Sequence, residues 1–233
     1  MPVKMTPLEP AARDAILVGD PRRAFALAQE LTEQPKMSHQ ARGLWGYRGT
    51  AADGIPLTVQ STGSGGPSAV PVIGDLASQG VNRILRLGTC LAIDPDLPAG
   101  SVVLVERALV ADGTSRALGN SDFVLPDPGM LAALDGIGKA ATVSSHDLVA
   151  RYEPGDAGTP EPGEAIARDL QTAATLAMGR KLEIQAAAIL IVAEDHHGHR
   201  PGEEELWNLF RSVGRQALEK LARVGTPKTD PTG

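Results

Sequence analysis

The segment Ala186 to Val192 is apolar at every position, with no polar residue on alternate sites. A strand with one face in water alternates, so an unbroken run of this length belongs to a strand covered on both faces. It falls well short of the roughly 20 residues that a membrane-crossing helix needs. Arg83 to Leu87, the valine-rich Ser101 to Val110, Ala15 to Val18 and Ala140 to Ser144 read as further strands. Between them come helical spacings. Phe25, Leu27, Ala28 and Leu31 recur on one face, a second stretch runs from Ser68 to about Gln79, and an Ala-rich one from Ala165 to Gly179. The cleanest is Glu203 to Val224, with Leu206, Phe210, Val213, Ala217 and Leu221 on a single stripe. Strands and helices that alternate in this way build an α/β sheet covered by helices on both faces. With no internal repeat and no linker, the chain reads as a single domain over residues 1–233, its core about 15–224 and a polar tail 225–233.

Composition narrows the partners. The chain carries 22 basic against 28 acidic residues, a formal net charge of −6, and so lacks the general basic footprint of a nucleic-acid binder. No segment is apolar enough for a membrane, and the N-terminus has no signal-peptide core. A single cysteine, Cys90, excludes an internal disulfide and fits a reducing, cytoplasmic setting. Gly43 to Val59 reads as a hairpin turning at Asp53-Gly54, and the Pro/Gly-rich Arg151 to Gly163 as a surface loop.

Three glycine-bearing turns each follow a strand: Gly19-Asp20-Pro21-Arg22-Arg23, Thr62-Gly63-Ser64-Gly65-Gly66-Pro67-Ser68, and Arg86-Leu87-Gly88-Thr89. Ligands of open α/β sheets bind beyond the carboxyl ends of strands. Glycine lets backbone N–H groups approach an anion there, and arginine adds planar, permanently charged donors. None of the three is a Walker A loop or a dinucleotide fingerprint. Their conjunction with Arg23 and Arg86 points to an oxyanion site.

These segments resemble those of the nucleoside phosphorylases that include uridine phosphorylase and hexameric purine nucleoside phosphorylase. Gly19 to Ala24 is similar to that family's first phosphate loop, and Ala41-Arg42-Gly43-Leu44-Trp45-Gly46-Tyr47-Arg48-Gly49-Thr50 to the segment whose arginine reaches a neighbouring subunit's site. Ser61 to Ser68 and Arg86 to Thr89 are closest in pattern to the uridine enzymes. The resemblance implies a mixed, barrel-like central sheet flanked by helices. It implies phosphate-dependent cleavage of a uridine or purine nucleoside to free base and pentose 1-phosphate, with phosphate as co-substrate and no organic cofactor or metal. Gly19, Arg23, Arg86 and Thr89 would bind phosphate, with Arg42 donated across a dimer-based homo-oligomer such as a hexamer. Arg86 would also act in catalysis, stabilising charge. Thr62, Gly63, Val149, Leu170 and Gln171 would line the nucleoside. A nucleosidase or a non-catalytic nucleoside-binding homologue is the alternative.

Three departures mark the chain. Where the family's ribose clamp is Glu-Met-Glu, this sequence has Asp169-Leu170-Gln171, so an amide oxygen replaces a carboxylate as acceptor for the ribose hydroxyls. After the apolar strand, where purine enzymes carry an aspartate acid, stands Ala193-Glu194-Asp195, and Asp195, or Glu194 beside it, is the candidate catalytic acid. The uridine enzymes' Gln–Arg pair has at most a remnant in Arg151, so the base stays open between uracil and a purine. Thr6-Pro7-Leu8 stands where the family has a histidine for the 5′-hydroxyl. His196-His197-Gly198-His199 lacks the companion ligands of a metal site and reads as a polar loop, and Cys90 as a packing residue.

Overall fold

The computed structural model describes residues 8–149 and 164–222. Strand β1 (Asp14–Val18) leads into helix α1 (Pro21–Leu31), then β2 (Thr32–His39), a short 3-10 turn at Ala41–Gly43, β3 (Gly46–Ala51) and β4 (Pro56–Ser61). Helix α2 (Gly66–Ser78) precedes the two long strands β5 (Arg83–Ala92) and β6 (Val102–Ala111). Short elements follow, α3 (Gly113–Ala117), β7 (Phe123–Val124) and α4 (Pro128–Ala133), before β8 (Lys139–His146). The chain closes with β9 (Ala167–Asp169), α5 (Thr172–Lys181), β10 (Gln185–Glu194) and α6 (Glu203–Ala222).

All strands belong to one mixed sheet, in the order β10-β6-β8-β9-β5-β1-β4-β3-β2, with β7 on β6. Because β10 also pairs with β5, the strands β10, β6, β8, β9 and β5 close into a ring, from which β1, β4, β3 and β2 extend as a wing. The barrel-like sheet expected from the family resemblance is present. Strands β1, β5 and β10 run parallel, so their carboxyl ends open at one end of the barrel, beside that of β4.

Helices cover the sheet because each presents an apolar stripe of the right period. Phe210, Val213, Ala217 and Leu221 of α6 pack with Leu27 and Leu31 of α1 onto Ile16, Leu87 and Ile189. Val72, Ile73 and Leu76 of α2 meet Leu17 and Ile84 on the opposite face. Leu176 and Ala177 of α5 pack on Val103, Val143 and Leu190. Each such buried Val, Leu, Ile or Phe side chain contributes about 1.5–3 kcal/mol.

Two local expectations are corrected, and one strand stands where none was expected. The Ala165–Gly179 helix begins only at Thr172; Ala167–Asp169 is a strand wedged between β5 and β8. The Asp169 carboxylate accepts the N–H groups of Gln171 and Thr172, so the chain leaves the sheet and enters the helix at that residue. Arg86-Leu87-Gly88-Thr89 is not a turn, since β5 continues to Ala92. Gly88 serves space instead: a Cβ there would lie 2.7 Å from an Arg86 guanidinium nitrogen. Thr32–His39, which shows no apolar alternation, forms a strand paired only with β3. Pro35 is tolerated because an edge strand has a free side, and the ladder skips between Glu33 and Lys36. Residues 1–7, 150–163 and 223–233, which include Thr6, Arg151 and the polar tail, lie outside the described residues.

Candidate active site

At the carboxyl ends of β1, β4 and β5 lies a cavity of about 380 Å³. The residues that build it come from segments far apart in sequence. Gly19, Asp20 and Arg23 come from the β1–α1 turn, and Gly63 to Gly65 from the β4–α2 turn. Arg86 and Gly88 to Leu91 come from β5, Val149 from beyond β8, Arg168 to Gln171 from β9 and its exit, and Ala193 from β10.

Arg86 organises the floor. Its side chain is only 6% exposed and faces the buried Asp169 carboxylate, with the guanidinium NH2 donating to Asp169 Oδ2 at 2.8 Å. Nε donates to Thr172 Oγ1 at 3.0 Å, and NH1 to Gln171 Oε1 at 2.7 Å. Three of the five guanidinium N–H donors thus fix the plane of the group, and two remain for a ligand. Asp169 is held in turn: Ser145 Oγ and Thr172 Oγ1 each donate to it at 2.6 Å, and Ser145 Oγ also accepts the N–H of Ala173.

Gln171 is spent on its own chain. Its Oε1 accepts from Arg86 and lies 2.8 Å from the Thr62 hydroxyl, while Nε2 donates to Gly63 O at 3.2 Å and to Gly65 O at 2.9 Å. Thr62 is fully buried behind the cavity wall, its hydroxyl also 3.0 Å from Val18 O. Gly63 and Gly65 both have positive φ, +72° and +80°, where a side chain is strained.

Arg23 stands on the first turn of α1, whose Asp20 cap accepts the Arg22 N–H at 2.8 Å. Its guanidinium lies over the Phe210 ring, 4.6 Å from the centroid. Burial pulls its pKa below the ordinary arginine value; Asp20 opposes this and Arg86 adds to it. A guanidinium stays a cation even so. Cys90 is buried beside these groups, and burial, with Asp169, pushes its thiol far up, so no thiolate nucleophile forms there.

The profile of the phosphorylase superfamily matches residues 13–156, more than half of the chain. This chain belongs to the phosphorylase superfamily. It is 30% identical to a DeoD-type purine nucleoside phosphorylase of Geobacillus kaustophilus, over 92% of this chain and 94% of that one. It is 28% identical to the DeoD-type enzyme of Oceanobacillus iheyensis, over 89% and 93% of the two chains. It is 27% identical to a uridine phosphorylase of Treponema pallidum, over 91% of each.

Of the residues singled out in the sequence, the phosphorylase fold gathers Gly19, Gly63, Arg23, Arg86, Thr89, Val149, Leu170 and Gln171 on one cavity. Arg42 lies elsewhere, exposed on the 3-10 turn at φ +56°. Asp195 is not among the residues lining the cavity. Its carboxylate accepts the N–H groups of His197 and His199, both at 2.9 Å, and faces the His199 ring at 2.9 Å. Partial burial pulls its pKa up, but these hydrogen bonds outweigh that and hold it below the usual carboxylate range. An acid in that state is a poor proton donor at neutral pH. Glu194 is taken by Arg200, whose Nε donates to it at 2.7 Å. Among the described residues, no three His, Cys, Asp or Glu side chains are grouped to hold a metal ion, and no helix is long and apolar enough to cross a membrane.

Sequence reasoning missed Asp169 as the partner of Arg86, Ser145 and Thr172 as its supports, and Arg168 of β9 as a third arginine on the cavity wall. The available signal was the charged pair Arg168-Asp169 inside an otherwise alanine-rich stretch.

Proposed function

We propose that this protein is a nucleoside phosphorylase. Phosphate attacks the anomeric carbon of a uridine or purine nucleoside. The glycosidic C–N bond breaks with its electron pair leaving on the base, and pentose 1-phosphate and free base are released. The observation that carries this reading is the buried, ion-paired Arg86 with two unspent N–H donors on a cavity that also holds Arg23 and two left-handed glycines. A preorganised cation of this kind orients the anionic nucleophile and costs no reorganisation as the reaction proceeds. Phosphate sits against Gly19, Arg23, Arg86 and Thr89, and Arg42 completes the cradle of a neighbouring protomer in a homo-oligomer. Its exposure, and its absence from the residues that line its own cavity, fit that role. Leu170 and Val149 offer the apolar surface for sugar and base. Phosphate is the co-substrate, no organic cofactor or metal takes part, and the single thiol suits a cytoplasmic setting.

The likeness to purine and uridine enzymes is equally deep, so the base is the open variable. Uridine, inosine and adenosine incubated separately with the protein, with and without phosphate, test the reading. Phosphate-dependent release of base from at least one is expected. Release that ignores phosphate would make the protein a nucleosidase, and binding without turnover a non-catalytic homologue.

A further inference from the structure

The side chain of Gln171 has two donor hydrogens and two acceptor lone pairs. All four are within reach of its own chain: Nε2 serves Gly63 O and Gly65 O, and Oε1 serves Arg86 NH1 and the Thr62 hydroxyl. The orientation of the amide is fixed by this arrangement, because a flipped amide would face carbonyl to carbonyl on one side and N–H to guanidinium on the other. The residue is 3% exposed. A carboxylate of the same size could still pair with Arg86, but it would meet the carbonyls of Gly63 and Gly65 with no hydrogen to offer them. Like partial charges would then push the loop away.

We propose that Gln171 is a positioning residue, a latch that ties the Gly63–Gly65 loop to the Arg86 guanidinium, and not a ligand of the sugar hydroxyls. One amide sets two walls of the cavity at once, with the loop from the end of β4 and the arginine from β5. The chain requires glutamine because only a group with a donor end and an acceptor end satisfies both. This reading rests on the proposed phosphorolysis only for its kinetic consequence; the latch itself concerns the unliganded protein.

The test compares wild type with Gln171→Glu and Gln171→Met by amide hydrogen exchange of residues 61–68 and by calorimetric titration with inorganic phosphate. Both variants should speed exchange in that loop and weaken phosphate binding about ten-fold, the loss expected when two neutral hydrogen bonds disappear. Kinetics on matched ribo- and 2′-deoxyribonucleosides should shift by the same factor for both sugars. Loop exchange that stays at the wild-type rate overturns the latch. So does a defect confined to substrates that carry the 2′-hydroxyl, or faster turnover of ribonucleosides by Gln171→Glu at unchanged phosphate affinity. If wild type exchanges as described but cleaves no nucleoside, the functional reading fails while the latch stands.

Discussion

Removing the Asp169 carboxylate should cost more than removing the cation it faces. Asp169 and Arg86 are 0% and 6% exposed in their side chains and 2.8 Å apart, so the carboxylate has no water and the guanidinium meets solvent only at the cavity. In Asp169→Ala the guanidinium keeps only the neutral oxygens of Gln171 and Thr172 as protein acceptors. Breaking a buried pair from one side costs about 3–5 kcal/mol. For a chain of this size that is a fall in Tm of about 6–20 °C. Arg86→Met is gentler, because the carboxylate it leaves still accepts from Ser145, from the Thr172 hydroxyl and from the Gln171 and Thr172 amides. About 1–3 kcal/mol is expected there. The double variant, which removes both charges, should be more stable than Asp169→Ala alone. Urea unfolding of the four proteins measures all three quantities. Equal losses for the two single variants, or a double variant no better than Asp169→Ala, would refute the claim that an orphaned buried cation is the costly species.

Three other outcomes follow from named contacts. Arg42→Ala should raise the KM for phosphate about 10–150-fold, the loss of a charge-assisted hydrogen bond, while unfolding is unchanged within about 0.5 kcal/mol; steady-state kinetics and denaturation on one preparation check both. Gly63→Ala places a Cβ 2.5 Å from Ser68 Oγ at φ +72°, so a loss of about 1–3 kcal/mol and of phosphate affinity is expected in urea and binding titrations. Asp195→Ala should keep kcat. Because the native pKa of Asp195 lies below the ordinary value of about 3.9, its carboxylate stabilises the fold above that pH and loses its effect as pH falls through the native value. The stability gap between wild type and variant should therefore be constant near neutrality and close below about pH 4.

How much was legible depended on the range of the interaction. Ala186–Val192 and the α6 stripe were readable because burial on one or both faces is written in local period, and both elements stand where that period puts them. The phosphorylase fold and the eight cavity residues came from the resemblance to the nucleoside phosphorylases, which the glycine- and arginine-bearing segments carry. The strand Thr32–His39 was invisible because an edge needs little apolar surface. The strand Ala167–Asp169 was masked by alanines, which favour helix until two neighbouring strands claim them. Gly88 looked like a turn, but its lack of a Cβ makes room for Arg86, a fact of side-chain volume rather than of φ. For Gln171, expected to hold the sugar, and Asp195, expected to act as acid, a sequence gives the functional group without its hydrogen-bond partners. Those partners lie at Gly63, Gly65 and Arg86 for one, and within the His197–His199 loop for the other.

The central claim is that the Arg86 cradle holds a phosphate that becomes the nucleophile. Phosphorus NMR of the reaction with a cleavable nucleoside tests it most directly. One pentose 1-phosphate signal should grow for each base released, inorganic phosphate should fall in step, and Arg86→Met should abolish both. Base release accompanied by free pentose, with the phosphate signal constant, would contradict the account.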